Sequence, residues 1–409
     1  AVFILITILQ ILYLSYEFYK THCNEKITYE RVIFNMTKAG IYIHIPFCTV
    51  KCIYCDFYSI TKREDSIQRF ISAITKEIKM CNSDVSEWTF DTIFIGGGTP
   101  SLLNGEHIEK IISALSKKFD LSNLVEFTIE VNPGEAPTEH LKLYKDNGIN
   151  RLSIGAQSLQ PKLLKFLTRM HDRKEIFQTF NSARDIGYDN INIDLIHSIP
   201  GQTLKLWESD LEEIIKLKPE HISSYSLTVE KGTELFGMVK KETVLMPKED
   251  ISANFFKNTI EQLTSNGYNL YEISNFSKPG LQCRHNMHYW NIEPYLGFGP
   301  SAHSFDSSCR WNNIKNLDSY LQHIESNRSA KSNVELLSKT NIINETIGFG
   351  LRMSSGITLN KLPKKYRERL ENRLMSVNQK FKNCLKRKNH RVSLSNKGFL
   401  FADEIIVDL

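Results

Sequence analysis

Between residues 41 and 230, short runs of apolar and β-branched residues alternate with longer amphipathic stretches. This alternation is typical of repeated strand–helix units around a parallel sheet. The predicted strands lie at 41–47, 92–98, 126–132, 151–158, 191–201 and 221–227. Six units are too few for the eight of a closed barrel. The sequence therefore predicts an α/β fold built on a partial (β/α)6 barrel that is open on one side, which would suit a large substrate.

The pattern changes after residue 230. Loops with glycine and proline surround an aromatic-rich stretch, YNLYEISNFSKPGLQCRHNMHYWNIEPYLGFGPSAHSF. Helical patterns follow from about residue 335 and lead into RVSLSNKGFLFADEIIVDL, which predicts a short strand, a turn at Gly398 and a helix or strand. We therefore predict a barrel over 40–230, a barrel-completing segment over 231–334 and a smaller α+β C-terminal module over 335–409.

The first 35 residues differ from the rest of the chain. The apolar run AVFILITILQILYLSYEF at 1–18 is just at the lower limit for a membrane-spanning helix. No basic residue precedes it and no clean cleavage site follows, so it makes a poor secretory signal. Met36 stands directly before TKAGIYIHIP. The expectation is that residues 1–35 lie outside the native product, and a membrane anchor is the competing interpretation.

Composition sets broad limits on location and partners. The net charge of +5 is too small for 409 residues to argue for nucleic acid. Basic residues concentrate at 361–391, which predicts a solvated helical face or else contact with an acidic partner or a membrane surface. Eight cysteines do not make a disulfide scaffold, and three of them lie within eight positions, which indicates metal in a reducing compartment. The predicted location is cytoplasmic, with membrane association left open.

The three clustered cysteines follow the first predicted strand. Cys48, Cys52 and Cys55 have the spacing C-x3-C-x2-C within FCTVKCIYCDF. Thiolates select iron–sulfur clusters, copper(I) or zinc. A structural zinc site needs a fourth ligand and usually pairs two C-x2-C knuckles, and the chain has no second knuckle. A 4Fe-4S cluster with one open iron is therefore favoured, with zinc or buried structural cysteines as the alternatives.

Further polar and glycine residues fall at the ends of later strands, where βα folds gather their active sites. GGGTPS at 96–101 permits close backbone approach. It lacks the features of a phosphate loop or dinucleotide fingerprint, and a tight turn is its plain alternative. Glu130, Gln157, Arg169 and Asp194 sit where burial without partners would cost about 2–7 kcal/mol each. Each alone is better explained as a structural hydrogen-bonder, but together they indicate one site.

These motifs together resemble the radical SAM superfamily, whose signature is C-x3-C-x2-C on the loop after the first strand of a partial barrel. The resemblance implies a 4Fe-4S cluster whose open iron binds S-adenosylmethionine (SAM) and cleaves it to a 5'-deoxyadenosyl radical, with an electron donor such as a flavodoxin or ferredoxin. The order E-V-N-P, G-A-Q-S, L-x-R-x-H and D-L-I is similar to the coproporphyrinogen-oxidase-like branch, and His44 is part of that pattern. The SAM contacts that this branch implies are Tyr42, Tyr54, Gly97, Gly98, Thr99, Glu130, Gln157, Arg169 and Asp194.

The likeness continues beyond the barrel. The R-H-N-x-x-Y-W motif, the YLGFGPSAHS stretch and the final LSNKGFLFADEII resemble the HemW heme-chaperone group of this branch. That resemblance implies heme binding and transfer to an acceptor protein, which is soluble or membrane-bound. Candidate iron ligands are Cys283, His285, His288 and His303, with Tyr289, Trp290 and Phe298 for the macrocycle. A structural role for each histidine is the alternative.

Oxygen-independent coproporphyrinogen III oxidase is the alternative function within the same branch. Its cluster loop continues with a further cysteine two residues after the third, and this chain has Phe57 there. It also carries a long N-terminal extension that takes part in the substrate site, whereas residues 1–40 here are of unlike composition. Both departures favour heme binding over decarboxylation of porphyrinogen propionates.

Overall fold

In the computed structural model, which describes residues 36–409, six parallel strands alternate with helices in the first half of the chain. The strands are β1 Thr37–Ile45, β2 Trp88–Gly97, β3 Glu126–Val131, β4 Arg151–Gln157, β5 Ile191–His197 and β6 His221–Ser226. The helices between them are α1 Ile67–Met80, α2 Gly105–Lys118, α3 Thr138–Asp146, α4 Pro161–Phe166, α5 Arg173–Asp185 and α6 Leu204–Leu217. Successive strands pair with each other, so β1 to β6 form one parallel sheet.

Local sequence signals explain where these helices begin and end. Asn104 and Thr203 cap α2 and α6 by accepting a hydrogen bond from a backbone N–H in the first turn. Asp172 opens α5 with a reciprocal capping box. Gly148 and Gly187 follow α3 and α5 with φ of 87° and 94°, a left-handed conformation that glycine adopts without a steric penalty.

The predicted α/β class and partial barrel are confirmed. The helices cover the outer face of the sheet, and alternate side chains of each strand point into the barrel, so β1 to β6 are buried almost throughout. β1 and β2 begin earlier than predicted, at Thr37 and Trp88, because the polar first residues of these strands still pair in parallel register. The short helix α4 was not predicted.

Strands from the second half of the chain extend both edges of this sheet. They are β7 Asn269–Glu272, β8 Asn275–Ser277, β9 Tyr295–Phe298, β10 His303–Phe305, β11 Cys309–Asn313 and β12 Lys331–Leu336. The order is β12-β11-β10-β9-β1-β2-β3-β4-β5-β6-β8-β7, and no pairing among residues 36–409 joins β7 to β12. The predicted 231–334 segment thus lengthens both edges of an open barrel, and its predicted end falls within β12. This segment also contains α7 Glu234–Lys240, α8 Glu249–Ser265, α9 Arg284–Trp290 and α10 Leu317–Glu325.

The smaller C-terminal module has its own sheet and its own apolar core. It consists of α11 Lys339–Arg352, β13 Ile357–Thr358, α12 Lys364–Lys380, β14 Leu385–Lys388, β15 Arg391–Leu394, α13 Asn396–Phe399 and α14 Ala402–Asp408, with strand order β13-β15-β14. The predicted turn at Gly398 is wrong. Gly398 lies inside α13, because the Ser395 side chain caps that helix by accepting from the Gly398 N–H at 3.0 Å.

Two further expectations concern the surface. The basic stretch forms α12 and the β14–β15 hairpin, where most of its lysines and arginines are exposed. Within residues 36–409, the model contains no helix with both the length and the apolar character needed to span a bilayer. The predictions for the apolar N-terminal run concern residues 1–35, which lie outside the described residues.

A buried ion pair joins the module to the large sheet. Arg310 on β11 donates two hydrogen bonds to Glu345 on α11, at 3.1 and 2.9 Å. Both residues are buried. Nearby, the Ile273 N–H donates to the Arg352 carbonyl at 3.0 Å and continues the contact along the backbone.

We expect Glu345→Ala to lower the free energy of unfolding by about 3–5 kcal/mol, because it leaves the Arg310 charge buried without a partner. Urea unfolding followed by circular dichroism measures this loss. Glu325→Ala is the matched control, since Glu325 accepts a similar pair of hydrogen bonds from Arg69 on the exposed surface, where water screens the charge. Equal losses for the two variants would contradict the assigned role of the buried pair.

Candidate cofactor site

A cavity of about 130 Å³ lies at the C-terminal ends of the parallel strands. It brings together eleven of the twelve residues that the resemblance assigns to the cluster and to SAM. The eleven that line it are Cys48, Cys52, Cys55, Tyr54, Gly97, Gly98, Thr99, Glu130, Gln157, Arg169 and Asp194. Because these residues span almost 150 positions of sequence, only the parallel strand order can place them around one cavity.

Backbone hydrogen bonds fix the cysteine loop against the next strand. The Gly98 N–H donates to the Ile45 carbonyl and the Thr99 N–H donates to the Phe47 carbonyl, each at 2.7 Å. A Cβ atom at Gly98 would lie 2.5 Å from the Phe47 oxygen and 3.0 Å from the Cys48 sulfur. Only glycine allows this approach. The start of the loop also contacts the segment that follows it, because the Cys48 N–H donates to the Ile60 carbonyl at 2.9 Å.

The sulfur atoms have hydrogen-bond donors directed at them. The Thr99 hydroxyl donates to Cys48 Sγ at 3.5 Å, and Arg169 Nη1 donates to Cys52 Sγ at 3.6 Å. Burial raises the pKa of the Cys48 thiol and raises the pKa of the Cys55 thiol to about 12. A bound metal lowers the pKa of a thiol and stabilises the thiolate, and the Thr99 hydrogen bond acts in the same direction on the pKa of Cys48.

The donor set fits an iron–sulfur cluster. All three cysteines line one cavity on a single loop. Each thiolate of a 4Fe-4S cluster binds a separate iron, so three thiolates leave the fourth iron open to another ligand.

Asn132 connects the two sulfur-contacting residues. Its Nδ2 donates to the Thr99 hydroxyl at 3.0 Å, and its Oδ1 accepts from Arg169 Nη2 at 2.5 Å. The same arginine also donates to the Gly155 carbonyl at 2.9 Å. The guanidinium therefore links the cluster loop to β3 and β4 and is held in one orientation.

Two carboxylates face the cavity from β3 and β5, the strands on either side of β4. Glu130 accepts a hydrogen bond from the Gly97 N–H at 3.1 Å. Burial, and then the nearby charge of Asp194, raises the pKa of Glu130 to about 7. Asp194 accepts from Ser153 at 2.9 Å and from Asn192 at 3.0 Å. These two groups can place negative charge beside a cationic ligand.

Gln157 occupies the end of β4 in a strained conformation. Its φ is +66°, in the left-handed region, and the register between β4 and β5 shifts between Gly155 and Gln157. Such a conformation costs about 1–3 kcal/mol for a residue other than glycine and is concentrated at functional sites. The shift turns the Gln157 side chain to the cavity.

Tyr42, His285 and His303 are predicted site residues that do not line this cavity. Tyr42 is buried, with its hydroxyl 3.1 Å from His44 Nδ1, and His44 Nε2 donates to the Tyr58 carbonyl at 2.8 Å. Tyr42 thus contacts His44, whose ring packs against Gly97 of the cavity.

The candidate heme ligands differ in their freedom to bind iron. His285 is fully buried, and its Nδ1 and Nε2 lie 2.8 Å from the Thr92 hydroxyl and 2.9 Å from the Tyr289 hydroxyl. His288 lies between two carboxylates, at 2.7 Å from Asp91 and 2.5 Å from Glu293. Burial lowers the pKa of His288, but these hydrogen bonds outweigh it and raise the pKa to about 9.

Cys283 and His303 are the other two candidates. Cys283 is fully buried against Glu126, and burial raises the pKa of its thiol to about 12. His303 on β10 is half-buried, and no residue within 36–409 forms a hydrogen bond with its ring. Burial, and then the charge of Arg310, lowers the pKa of His303 to about 4, which keeps the ring neutral.

Some lining residues gain a role only with the structure. The sequence places Asn132 among the polar residues at strand ends, and its hydrogen bond with Arg169 gives it a specific contact. Ser153 and Tyr225 also line the cavity. Both lie on predicted strands. Ser153 has the same parity as Gln157 on β4, so the alternation of inward side chains along that strand would have found it.

The radical SAM superfamily model matches residues 42–217. The heme chaperone HemW of Lactococcus lactis is 34% identical over 369 residues, which cover 89% of this chain and 95% of that protein. HemW of Bacillus subtilis is 33% identical over 367 residues, 89% of this chain and 97% of that protein. The chain belongs to the HemW family of radical SAM proteins.

The solved structure of coproporphyrinogen III oxidase (HemN) from Escherichia coli has the same fold as this HemW family member. It aligns with a TM-score of 0.79 over 91% of this chain and 90% of that chain, at 22% sequence identity. Radical SAM membership implies a 4Fe-4S cluster and SAM, and the HemW name implies heme.

The raised pKa of Glu130, about 7, predicts a pH effect on stability without any ligand. The folded protein binds the Glu130 proton more tightly than the unfolded chain does. The stabilisation of the folded state that results is complete below the pKa of Glu130 in the unfolded chain, and it is lost as pH rises through about 7. Its size is on the order of 2–3 kcal/mol. Glu130→Gln keeps a neutral group, so the variant should gain stability relative to the wild type between pH 5 and pH 8.

Thermal unfolding of SAM-free protein at four pH values in that range measures the difference. Glu212→Gln, at an exposed position of α6, is the control and should show no such trend. A difference between the Glu130 variant and the wild type that stays constant across the range would contradict burial of an ionisable Glu130.

Proposed function

We propose that this chain holds a 4Fe-4S cluster on Cys48, Cys52 and Cys55, binds SAM in the adjoining cavity, and serves as a heme chaperone. In this role it binds heme and passes it to an acceptor protein. The observation that carries the proposal is the gathering of the cysteine loop and eight predicted SAM contacts around one cavity. The heme part is supported by relatives named heme chaperone that match about nine-tenths of the chain.

Each cavity residue has a definite task in this proposal. A bound cluster supplies an open iron and an electron for SAM chemistry. Arg169 and Thr99 donate to the cysteine sulfurs and so stabilise their negative charge. Gly97 and Gly98 let a ligand approach the strand end. Glu130 and Asp194 favour the permanent positive charge of the SAM sulfonium, since opposite charges attract strongly where water is largely excluded.

Phe57 supports the chaperone over the oxidase. It lines the cavity at the position where the oxidase loop has its further cysteine. A phenylalanine can neither ligate iron nor act as a thiol there. The open barrel and the intact SAM cavity would suit a catalyst too, so the oxidase is the alternative that the experiment must exclude.

The discriminating experiment uses full-length protein reconstituted under anaerobic conditions. We expect one heme to be retained per chain after gel filtration with hemin. We expect no decarboxylated product from coproporphyrinogen III with SAM and a reductant. Cys48→Ala should abolish the iron–sulfur absorbance, which checks that the cluster belongs to these cysteines. Repeated turnover of the porphyrinogen would overturn the chaperone proposal.

His303 is the candidate heme ligand that needs the least rearrangement. Its ring is neutral, half-buried and without a hydrogen-bond partner among the described residues. His285 would have to give up two hydrogen bonds inside the barrel, and His288 would have to lose its proton and two carboxylate partners. Freeing a buried group in this way costs about 1–3 kcal/mol for each bond lost.

We expect His303→Ala to weaken heme affinity at least tenfold with little change in melting temperature. His285→Ala should lower the melting temperature, since it orphans the Thr92 and Tyr289 hydroxyls. His390→Ala, at an exposed position, is the control for removal of an imidazole. Heme titration followed at the Soret band measures all three. Full heme affinity in the His303 variant together with loss in a stable His285→Gln variant would assign the ligand to His285.

A further inference from the structure

The turn after β4 carries Gln157 and leads through α4 to Arg169, both of which line the cofactor cavity. Gln157 is held at a φ of +66°. Backbone strain of this kind persists only where the surroundings enforce it. The surroundings include one buried carboxylate, Asp210, which lies on α6 and does not itself line the cavity.

Asp210 accepts three hydrogen bonds from three consecutive residues of the turn. The Ser158 hydroxyl donates to Oδ2 at 2.7 Å, and the Leu159 N–H donates to the same oxygen at 3.1 Å. Gln160 Nε2 donates to Oδ1 at 2.6 Å. Asp210 has no exposed surface, so water does not compete for these bonds. A buried carboxylate with three donors holds its partners tightly.

The helix that carries Asp210 is itself fixed. Trp207, one turn earlier on α6, is fully buried and donates from Nε1 to the Thr259 hydroxyl on α8 at 2.9 Å. Leu211, the next residue after Asp210, is also fully buried in the main core. The carboxylate therefore acts from a rigid element, and the turn is the part that it restrains.

The restraint extends beyond Gln157. The turn ends in Gln160, whose carbonyl accepts the first hydrogen bonds of α4 from Leu163 and Leu164. At the other end of α4, the Arg169 N–H donates to the Leu164 carbonyl at 2.9 Å. The short helix thus transmits the position of the turn to the guanidinium that contacts Cys52 and Asn132.

We propose that Asp210 is a positioning residue for SAM binding, which acts by holding the 157–160 turn so that Gln157 and Arg169 face the cofactor. This inference rests on the proposed function, because it takes the cavity to be the SAM site. Asp210 lies outside the cavity, about 50 positions downstream of the turn, and the affinity of the cavity for SAM depends on it.

Asp210→Asn is the test, because asparagine keeps the volume but replaces one of the two accepting oxygens, and removes the negative charge, where three donors of the turn converge. We expect the dissociation constant for SAM to rise about tenfold, with the cluster retained. Gln157→Ala should give a similar loss. If Asp210 acts through the turn, the double variant should be little weaker than either single variant, because the two effects share one cause. Isothermal titration of cluster-loaded protein measures all of these.

Glu77→Gln is the matched control. Glu77 is also a deeply placed carboxylate that accepts three hydrogen bonds, from the Gly299 N–H, Asn313 and the Tyr320 hydroxyl. None of these three donors lines the cavity. The control variant should keep its SAM affinity. Three results would overturn the proposal. The first is equal weakening of SAM binding by Asp210→Asn and Glu77→Gln. The others are additive losses in the Asp210–Gln157 double variant and unchanged affinity in either Asp210→Asn or Gln157→Ala.

Hydrogen exchange without SAM separates this inference from the function on which it rests. We expect the amides of 157–169 to exchange faster in Asp210→Asn than in the wild type, and those around Glu77 to stay unchanged. Wild-type protein that carries a cluster but binds no SAM would overturn the proposed function and, with it, the role of Asp210 in SAM binding. Unchanged exchange at 157–169 would show by itself that Asp210 does not anchor the turn.

Discussion

The cofactor site depends on the close approach of two backbone segments, the start of the cysteine loop and the glycine-rich end of β2. Two hydrogen bonds of 2.7 Å join them, and there is no room for a side chain at Gly98. This approach sets the place of Cys48 and brings the Thr99 hydroxyl to its sulfur. From Thr99 the contacts continue through Asn132 to Arg169 and back to Cys52. The cysteine loop is thereby held at Cys48 and at Cys52 by side chains that follow three different strands.

The interior of the barrel is polar, and hydrogen bonds hold its buried charged side chains in place. Glu130 faces the cavity with a raised pKa, while Asp194 is held by Ser153 and Asn192. Asn192 in turn accepts from His221 at 2.6 Å, and the other nitrogen of His221 lies 2.8 Å from the Tyr271 hydroxyl. This chain of hydrogen bonds runs from the cavity to a residue beside the C-terminal module. Because each of these groups has a hydrogen-bond partner in the next, the chain stabilises the buried carboxylate of Asp194.

The sequence predicts the part of this site that is encoded locally. Cysteine spacing, the glycine run and polar residues at strand ends are visible along the chain, and parallel strand order brings them together. The contacts that orient them are not visible, because they join distant residues. Asn132 meets Arg169 across 37 positions, and Asp210 meets Ser158 across 52. The turn predicted at Gly398 fails for a similar reason. A glycine there indicates a break, and the neighbouring Ser395 cap that builds a helix outweighs it.

The R-H-N-x-x-Y-W motif shows why a motif does not by itself assign a ligand. It forms α9, which lies at the level of the sheet where β3 begins, since it contacts the register partners Gly40, Thr92 and Glu126. Glu126 accepts the N–H groups of Arg284 and His285 and so satisfies the first turn of this short helix. His285 and His288 bond to strand residues beneath it. These contacts occupy the polar atoms of both histidines and close the N-terminal side of the barrel. In βα folds that side serves stability, whereas ligands bind at the C-terminal ends of the strands. Both histidines of the motif are thus accounted for by packing, and heme binding has to be located by experiment on residues whose polar atoms remain free.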